Sequence, residues 1–385
     1  MVISNFSFEE KSLNWKLQEL HLNKLTLLVG ASGVGKTQIL NSINNLKSIA
    51  DGESLNGVKW SVTFKTINDL VYNWEGEFEN KGISVLINDD DEDDKKNKSK
   101  IQYEKLYLNG DLIVSRENES IVFLGEPTIK LSQQQSIVSL LKEEDKVKPA
   151  YEGIKKIRYS DQSNSASAAR GFRFSFLNAS KYSKKYDTLS KIQESDLDTD
   201  LKLYFVFNAD PSTFELIKER FIDIFPQVED VKVAPLERFE RGEIPDILKD
   251  YPYVQIKEKG VEHWISQNRI SSGMYRTLIQ LSDLYLCSDG TIYLVDEFEN
   301  SLGINCIDEI TNDILNSNRN LQFILTSHHP YIIDSIPYDC WKLVTRTTGI
   351  VKTHDLSEYN FGKSKHSAFM QLLQLDEYQT GSEVE

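Results

Sequence analysis

The sequence predicts an α/β protein with a parallel sheet core, an antiparallel β region and a helical insertion. Three observations lead to this fold class. "KLTLLVG" (24–30) is almost wholly apolar, as a strand covered on both faces is, and a helical stretch follows near 36–48. Segments rich in Val, Ile, Thr, Tyr and Trp recur between about 57 and 130. From 269 onward, helical and strand patterns alternate.

Residues 1–130 are predicted to form an N-terminal lobe. Two strands, "VISNFSF" and "WKLQELHL", precede the apolar strand. Four later segments favour an antiparallel sheet: "VKWSVTFKT", "ISVLIN", "KLYLNGDLIVSREN" and "SIVFLGEPTIKL". Within the third, "NGDL" predicts a hairpin turn. The charge run "NDDDEDDKKNKSK" (88–100) has no apolar periodicity and predicts a solvated loop.

Residues 131–265 are predicted to be a mainly helical insertion. "QSIVSLLKEEDK" and "PSTFELIKERFIDIF" are its clearest helices. The stretch 154–185 is enriched in Lys and Arg, with aromatic residues interleaved in "RGFRFSF". This pattern fits a surface for nucleic acid or for a partner protein, and it fits a solvated helical face equally well.

Residues 266–385 are predicted to form a C-terminal lobe. Here a helix is followed by the strand "TIYLVDE", a second helix, the strand "LQFILTS", a third helix and the strand "CWKLVTRTTG". Such alternation is typical of a doubly wound α/β sheet.

Composition narrows the function class. The formal net charge of -15 argues against a protein that coats nucleic acid over its whole surface. The three cysteines show no C-x-x-C spacing, so small core residues in a reducing cytosol are expected. No stretch is apolar enough to span a membrane, and the first residues lack a signal-length apolar core. We therefore expect a soluble cytoplasmic protein without a membrane role.

"GASGVGKT" (30–37) fits the phosphate-loop pattern G-x-x-x-x-G-K-[ST]. It lies between an apolar strand and a helix, which is the context that the chemistry requires. Glycines let the backbone turn its N–H groups inward around phosphate oxygens, and the helix N-terminus adds positive potential. The Lys side chain reaches the terminal phosphates and the Thr hydroxyl binds Mg²⁺. The predicted nucleotide-binding residues are Gly30, Ser32, Gly33, Val34, Gly35, Lys36, Thr37 and Gln38.

Two adjacent acids, Asp296 and Glu297, end the apolar strand of "TIYLVDEFENSLG". Paired carboxylates at a strand end need nearby positive charge. Together with the phosphate loop, they predict that Asp296 holds the Mg²⁺ of a bound nucleoside triphosphate and that Glu297 is the general base for the attacking water.

The long separation between Lys36 and Asp296 resembles ABC-type ATPase heads, including the SMC and OLD branches. The resemblance implies ATP and Mg²⁺ as ligands. "RISSGMYRTL" (269–278) is similar to a degenerate ABC signature, in which Ser271, Ser272 and Gly273 would contact the γ-phosphate held by another subunit. A Ser N-cap on an ordinary helix would explain the same residues.

Further matches to the ABC-type pattern follow the acids. "ENSLG" (299–303) stands where the D-loop is expected. In "FILTSHHPYIID" the resemblance implies a γ-phosphate contact from His328, with His329 as the alternative. The Q-loop glutamine is left open among Gln133, Gln134 and Gln135, and a polar helix N-terminus explains this trio equally well.

The chain as a whole resembles the stand-alone bacterial ABC-type ATPases of the AAA-15/AAA-21 grouping, which are OLD/SMC-like and often belong to anti-phage defence systems. This implies a switch with slow turnover that closes as a homodimer or higher homo-oligomer around ATP. The stretch after the last predicted strand is too short for the Toprim nuclease domain of OLD nucleases. A separate effector, a nuclease or toxin encoded nearby, is therefore the expected partner.

A different function class is also consistent with these motifs. A DNA-maintenance ATPase resembling RecF or the SMC heads would grip DNA in the dimer cleft. The basic stretch 154–185 favours this alternative, and the net charge of -15 disfavours it.

Overall fold

The computed structural model describes residues 1–82, 98–160, 182–238, 249–299, 311–316, 319–356, 359 and 365–382. Most of the predicted charge run and all of the predicted strand "ISVLIN" (83–88) lie outside these residues. The chain divides into two compact units. The first comprises Met1–Ser160, Asp289–Phe298 and Asn318–Glu385, and the second comprises Asp161–Ser288 and Glu299–Ser317.

The first unit contains one large sheet. Its strands are β1 (Val2–Glu10), β2 (Trp15–His21), β3 (Leu25–Val29), β4 (Val58–Lys65), β5 (Val71–Phe78), β6 (Ile101–Leu108), β7 (Asp111–Glu117), β8 (Ser120–Phe123), β9 (Glu126–Pro127), β10 (Ile157–Ser160), β14 (Ile292–Val295), β15 (Gln322–Thr326), β16 (Trp341–Thr347) and β17 (Ile350–Asp355). Across the sheet these strands run in the order β10-β14-β15-β3-β16-β17-β2-β1-β4-β5-β6-β7-β8-β9.

The sheet has a parallel part and an antiparallel part. Strands β10, β14, β15, β3 and β16 are parallel neighbours. From β2 through β1 to β9 each neighbouring pair is antiparallel. Every residue of β3, β14 and β15 is buried, as expected for the apolar runs that predicted them. The predicted α/β fold with an antiparallel region is confirmed.

The helices of the first unit are α1 (Lys36–Ala50), α2 (Ile137–Leu140), α3 (Lys148–Lys155), α8 (Pro330–Ser335), α9 (Lys365–Leu372) and α10 (Asp376–Thr380). Helix α1 buries Ile39, Leu40, Ile43 and Leu46, whose spacing places them on one face. Within the described part of the chain, no helix combines the length and the apolar character that crossing a bilayer requires.

The second unit holds helices α4 (Leu189–Glu194), α5 (Thr199–Ala209), α6 (Pro211–Ile224) and α7 (Ser272–Leu286). Its small antiparallel sheet is formed by β11 (Val228–Pro235), β12 (Pro252–Glu258) and β13 (Ile265–Ser266). Buried Phe214, Ile217 and Phe221 follow helical spacing on α6, the predicted helix "PSTFELIKERFIDIF".

The prediction of a helix over "QSIVSLLKEEDK" is wrong for most of these residues. Only the four residues of α2 are helical, and turns follow until α3. The acidic run Glu143–Asp145 would lie at the C-terminal end of a continued helix, where the dipole disfavours negative charge. The buried carboxylate of Glu104 instead fixes the start of α2 by accepting hydrogen bonds from Ser136 Oγ and the Ile137 N–H.

Candidate nucleotide site

The phosphate loop connects β3 to α1. Its three glycines all have positive φ angles, 143° at Gly30, 83° at Gly33 and 108° at Gly35, which L side chains rarely adopt. Lys36 is the first residue of α1 and is buried, with Nζ donating hydrogen bonds of 2.8 Å to the carbonyl oxygens of Gly30 and Ala31. The ammonium group is therefore held over the loop.

The other predicted loop residues differ in exposure. Ser32, Thr37 and Gln38 are exposed, and Val34 is buried. Thr37 is the second residue of α1, so its hydroxyl stands at the helix N-terminus, where the helix dipole favours anions. An exposed hydroxyl and a loop of three glycines with positive φ at this end of a helix match the donor set that triphosphate and Mg²⁺ require.

Asp296 follows the last residue of β14 and is half-buried. Its Oδ1 accepts a hydrogen bond of 2.5 Å from the hydroxyl of Thr326, and its Oδ2 accepts one of 3.5 Å from the hydroxyl of Tyr159. Two hydroxyls from the neighbouring strands β15 and β10 thus orient the carboxylate. The sequence had not pointed to either residue.

Glu297 is exposed and has a φ angle of 46°, a left-handed conformation that is uncommon for residues other than glycine. Two hydrogen bonds hold this turn against β15. The N–H of Glu297 donates to Thr326 Oγ1 over 2.8 Å, and the N–H of Phe298 donates to the Thr326 carbonyl over 3.0 Å. Phe298 is buried, which further fixes the backbone beside Glu297.

Sheet order brings the acids and the phosphate loop to one edge. Strand β15 lies between β14 and β3, and the register aligns Val295 with Leu325 and Leu325 with Leu27. All three strands are parallel, so their carboxyl ends point the same way. Because neighbouring strands lie about 4.8 Å apart, the acids and the loop are separated by two strand spacings, roughly 10 Å. Groups far apart in sequence thus share one site.

The two histidines after β15 differ in role. His329 Nδ1 accepts a hydrogen bond from the Tyr331 N–H and so caps α8, and its own N–H donates to Ser327 Oγ. His328 is exposed, two residues beyond the end of β15. This arrangement favours His328 over His329 for a ligand contact, although the contact itself stays a prediction.

The predicted signature residues lie in the second unit. Ser271 is the N-cap of α7, and its hydroxyl accepts a hydrogen bond from the Met274 N–H over 3.2 Å. Ser272 is exposed and Gly273 is half-buried at the start of the helix. The capping role that the sequence left open is therefore real for Ser271. Of the predicted D-loop, 300–303 lie outside the described residues.

None of the three Q-loop candidates, Gln133, Gln134 and Gln135, lies beside the phosphate loop as that role requires. A Cβ on Gly52, just past the C-terminal end of α1, would lie 2.9 Å from Gln135 Nε2. The phosphate loop is at the other end of this 15-residue helix, which is about 22 Å long. Arg116 fixes the trio there by donating to the carbonyl oxygens of Gln133 and Gln135.

The basic stretch 154–185 is described only in part, since 161–181 lie outside the described residues. Lys155 forms a salt bridge of 2.8 Å with Asp51, and Lys156 Nζ donates to the Asp289 carbonyl over 2.9 Å. These two lysines serve contacts within the first unit, so they add little to a nucleic-acid surface.

Tyr159 and Thr326 are the functional candidates that sequence reasoning missed. Thr326 ends the apolar run "FILT", and a polar residue at the carboxyl end of a buried parallel strand is a usable signal. The sequence carries no comparable signal for Tyr159, because the four-residue strand β10 lies in a region that was predicted to be helical.

The fold and this site define a P-loop ATPase of the ABC-type head class. The family model described as AAA domain, putative AbiEii toxin, Type IV TA system (AAA_21) matches residues 25–334. The chain belongs to this family, which confirms the resemblance seen in its motifs.

Solved structures of SMC heads share the fold. One is an Smc head bound to the C-winged helix domain of ScpA, with 13% identity, a TM-score of 0.54 and coverage of 92% of this chain and 97% of that chain. Another is an Smc head domain with an extended coiled coil, bound to the C-terminal domain of ScpA derived from Pyrococcus furiosus. It has 12% identity, a TM-score of 0.51 and coverage of 97% and 98%. No curated protein matches the sequence.

Proposed function

We propose that this protein binds and hydrolyses ATP as a conformational switch that controls a partner effector. The observation that carries the proposal is the meeting of the Lys36 loop with Asp296 and Glu297 at the carboxyl edge of β3, β15 and β14. ATP hydrolysis needs such a shared edge, because the loop that binds the terminal phosphate must lie beside the carboxylates that hold Mg²⁺ and orient the attacking water.

Each residue has a role in this proposal. The loop backbone from Gly30 to Gly35 and the Lys36 ammonium bind the β- and γ-phosphates. Thr37 and Asp296 would hold Mg²⁺, which supplies positive charge that offsets the phosphate charge. Glu297, exposed at the turn after β14, orients the attacking water and takes its proton. His328 contacts the γ-phosphate.

The proposed active form is a homodimer or higher homo-oligomer. Ser271, Ser272 and Gly273 would contact the γ-phosphate of ATP held by another subunit. Their position at the exposed N-terminus of α7 supports this, since a helix start offers N–H groups to an anion. Closing the interface around ATP makes the γ-phosphate the ligand that favours the closed state.

The proposed output is control of an effector in anti-phage defence, acting in the cytoplasm. The description of the matched family names a putative toxin of a type IV toxin–antitoxin system, which supports a defence setting. A nuclease or toxin encoded nearby is the proposed partner. Co-purification from the native host followed by mass spectrometry would identify it.

The DNA-maintenance alternative loses the support of Lys155 and Lys156, which serve internal contacts, but keeps that of Lys184 and Lys185, which are exposed. It makes a distinct prediction, however. An ATPase that grips DNA would bind duplex DNA more tightly with ATP, and the affinity would fall steeply with salt. Filter binding across a salt series would reveal such behaviour.

The central test is Lys36→Ala. This change removes the ammonium that is held over the loop, so ATP affinity in isothermal titration should fall beyond detection. Lys47→Ala is a matched control, because Lys47 lies near the other end of α1 and donates to the Ile157 carbonyl. Normal ATP affinity in the Lys36 variant would refute the loop assignment and the switch with it.

A further inference from the structure

Thr326 contacts both acids of the proposed site although it is itself only 1% exposed. Its hydroxyl lies 2.5 Å from Asp296 Oδ1 and 2.8 Å from the Glu297 nitrogen. A hydroxyl has one proton to donate. Since the Glu297 N–H is itself a donor, the Thr326 proton must point at the Asp296 carboxylate. The direction of both hydrogen bonds is thereby fixed.

The same residue also holds the strained turn. Glu297 keeps a φ of 46°, which persists in a protein only where surrounding contacts enforce it. Thr326 supplies two such contacts, since its carbonyl oxygen accepts from the Phe298 N–H over 3.0 Å in addition to the hydroxyl contact. The direction in which the Glu297 side chain leaves the backbone therefore depends on Thr326.

Thr326 also lies close in sequence to His328, the residue that is proposed to contact the γ-phosphate. Thr326 is the last residue of the fully buried β15, and His328 follows two residues later. Thr326 and His328 therefore belong to one short segment at the carboxyl end of β15. Strand β15 is hydrogen-bonded on both sides, to β14 and to β3, so the position of Thr326 is set by the sheet.

We propose that Thr326 is the positioning residue of the acid pair, orienting Asp296 toward Mg²⁺ and Glu297 toward the attacking water. This rests on the proposed ATPase function. The hydroxyl touches neither phosphate nor metal in this proposal and acts only through the two acids. The Thr326 hydroxyl thus donates a hydrogen bond to a carboxylate that is proposed to bind the metal. Loss of such a hydrogen bond weakens metal binding or activity.

The test compares Thr326→Val with Thr326→Ser. Valine keeps the shape and removes the hydroxyl, whereas serine keeps the hydroxyl. Affinity for a fluorescent ATP analogue is measured with Mg²⁺ and with EDTA, beside steady-state hydrolysis. For Thr326→Val we expect an unchanged affinity for the analogue in EDTA. The increase in affinity that Mg²⁺ produces should fall by about 10- to 100-fold, and kcat should fall by a similar factor. Serine should restore both.

Thr26→Val is the matched control. Thr26 is a fully buried threonine of β3 that pairs in register with Ile324 and also accepts a backbone N–H, from Asn23. Its loss removes a comparable buried hydroxyl without touching the acids, so kcat and the Mg²⁺-dependent gain should stay near wild type. Thermal unfolding followed by circular dichroism compares the stability of both variants.

The possible outcomes separate the two proposals. If the wild-type protein neither binds nor hydrolyses ATP, the proposed function fails whatever Thr326 does. If the wild type is active and Thr326→Val behaves like Thr26→Val, the positioning role is overturned. Should the valine variant not fold, Thr326→Ala compared with Thr326→Ser decides the same question, with equal activity of the two ruling the role out.

Discussion

Gly30 and Gly33 illustrate how residues of one type can meet different physical demands. A Cβ on Gly30 would lie 2.6 Å from the Val344 carbonyl oxygen of the adjacent strand β16. A Cβ on Gly33 would have no atom within 4 Å. Both have positive φ, but only Gly30 is also crowded by backbone. Gly30 is thus needed for packing against the sheet, and Gly33 for the shape and the open side of the loop.

This difference predicts that Gly30→Ala mainly lowers stability, whereas Gly33→Ala mainly weakens ATP binding. Gly30→Ala should lower the free energy of unfolding by about 1–3 kcal/mol through overpacking, beyond the backbone strain. Gly33→Ala should cost about 1–2 kcal/mol of strain alone, while its methyl group weakens ATP binding at least about tenfold by occupying the open side of the loop. Urea denaturation and titration with ATP measure the two quantities. Equal stability losses would contradict the assignment.

The acids show a second contrast between residues. Asp296 and Glu297 are conspicuous because charge at the end of an apolar strand demands a partner. Thr326 is inconspicuous, because a threonine suits a buried strand without any function. Only the hydrogen bonds to Asp296 and Glu297 distinguish it from Thr26 on the next strand.

At the scale of elements, α10 is the least expected neighbour of the phosphate loop. Gly381 ends this helix with a φ of 73°, and its carbonyl accepts from the Arg346 N–H of β16 over 2.7 Å. A Cβ there would lie 2.5 Å from Val34 Cγ1 and 3.2 Å from the Ala31 Cβ. The helix end therefore packs directly on the loop.

We expect Gly381→Ala to displace the phosphate loop and lower ATP affinity severalfold. Gly260→Ala is a closely matched control, because Gly260 has a φ of 76° and a Cβ there would meet nothing within 4 Å. Both variants should lose about 1 kcal/mol of stability from backbone strain. Thermal unfolding and ATP titration are the measurements, and an equal affinity for the two variants would show that this contact does not shape the loop.

Strand β10 shows where periodicity alone was insufficient. Its four residues lie in a region of otherwise helical character, and a run that short carries little periodic signal. Its identity as a strand follows from pairing with β14 in the parallel register Ile157 to Ile292. That pairing brings Tyr159 to Asp296, which no local pattern indicates.

At the scale of the whole molecule, the proposed switch makes a prediction about assembly. Glu297→Gln should bind ATP without hydrolysing it, and so accumulate a closed dimer whose mass in light scattering is twice that of the ATP-free protein. Adding Ser272→Arg should abolish the dimer, since a bulky cation would stand at the exposed start of α7.

The control for this experiment is Leu216→Arg, which adds the same charge at another exposed position of the second unit. It should leave the ATP-dependent dimer intact. Dimers that persist with Ser272→Arg in the Glu297→Gln background would show that the helix start is not part of the interface.

The sequence by itself determined the phosphate loop, the acid pair and the α/β class of this protein. Each depends on neighbouring residues in the sequence. The phosphate loop needs glycines that permit positive φ, the α/β class is indicated by an apolar strand followed by a helix, and the acid pair stands out because charge at the end of an apolar strand requires a partner. Even the antiparallel region was visible, because alternation of side chains is a property of neighbouring residues in one strand.

Only the tertiary structure decided which distant groups share the site. It placed Thr326 and Tyr159 on Asp296, moved Gln133–Gln135 to the far end of α1, and packed Gly381 on Val34. These outcomes depend on strand order and register, which bring together residues that are far apart along the chain. Hydrogen bonds and packing across strands have no local signature, so they could not be predicted from the sequence.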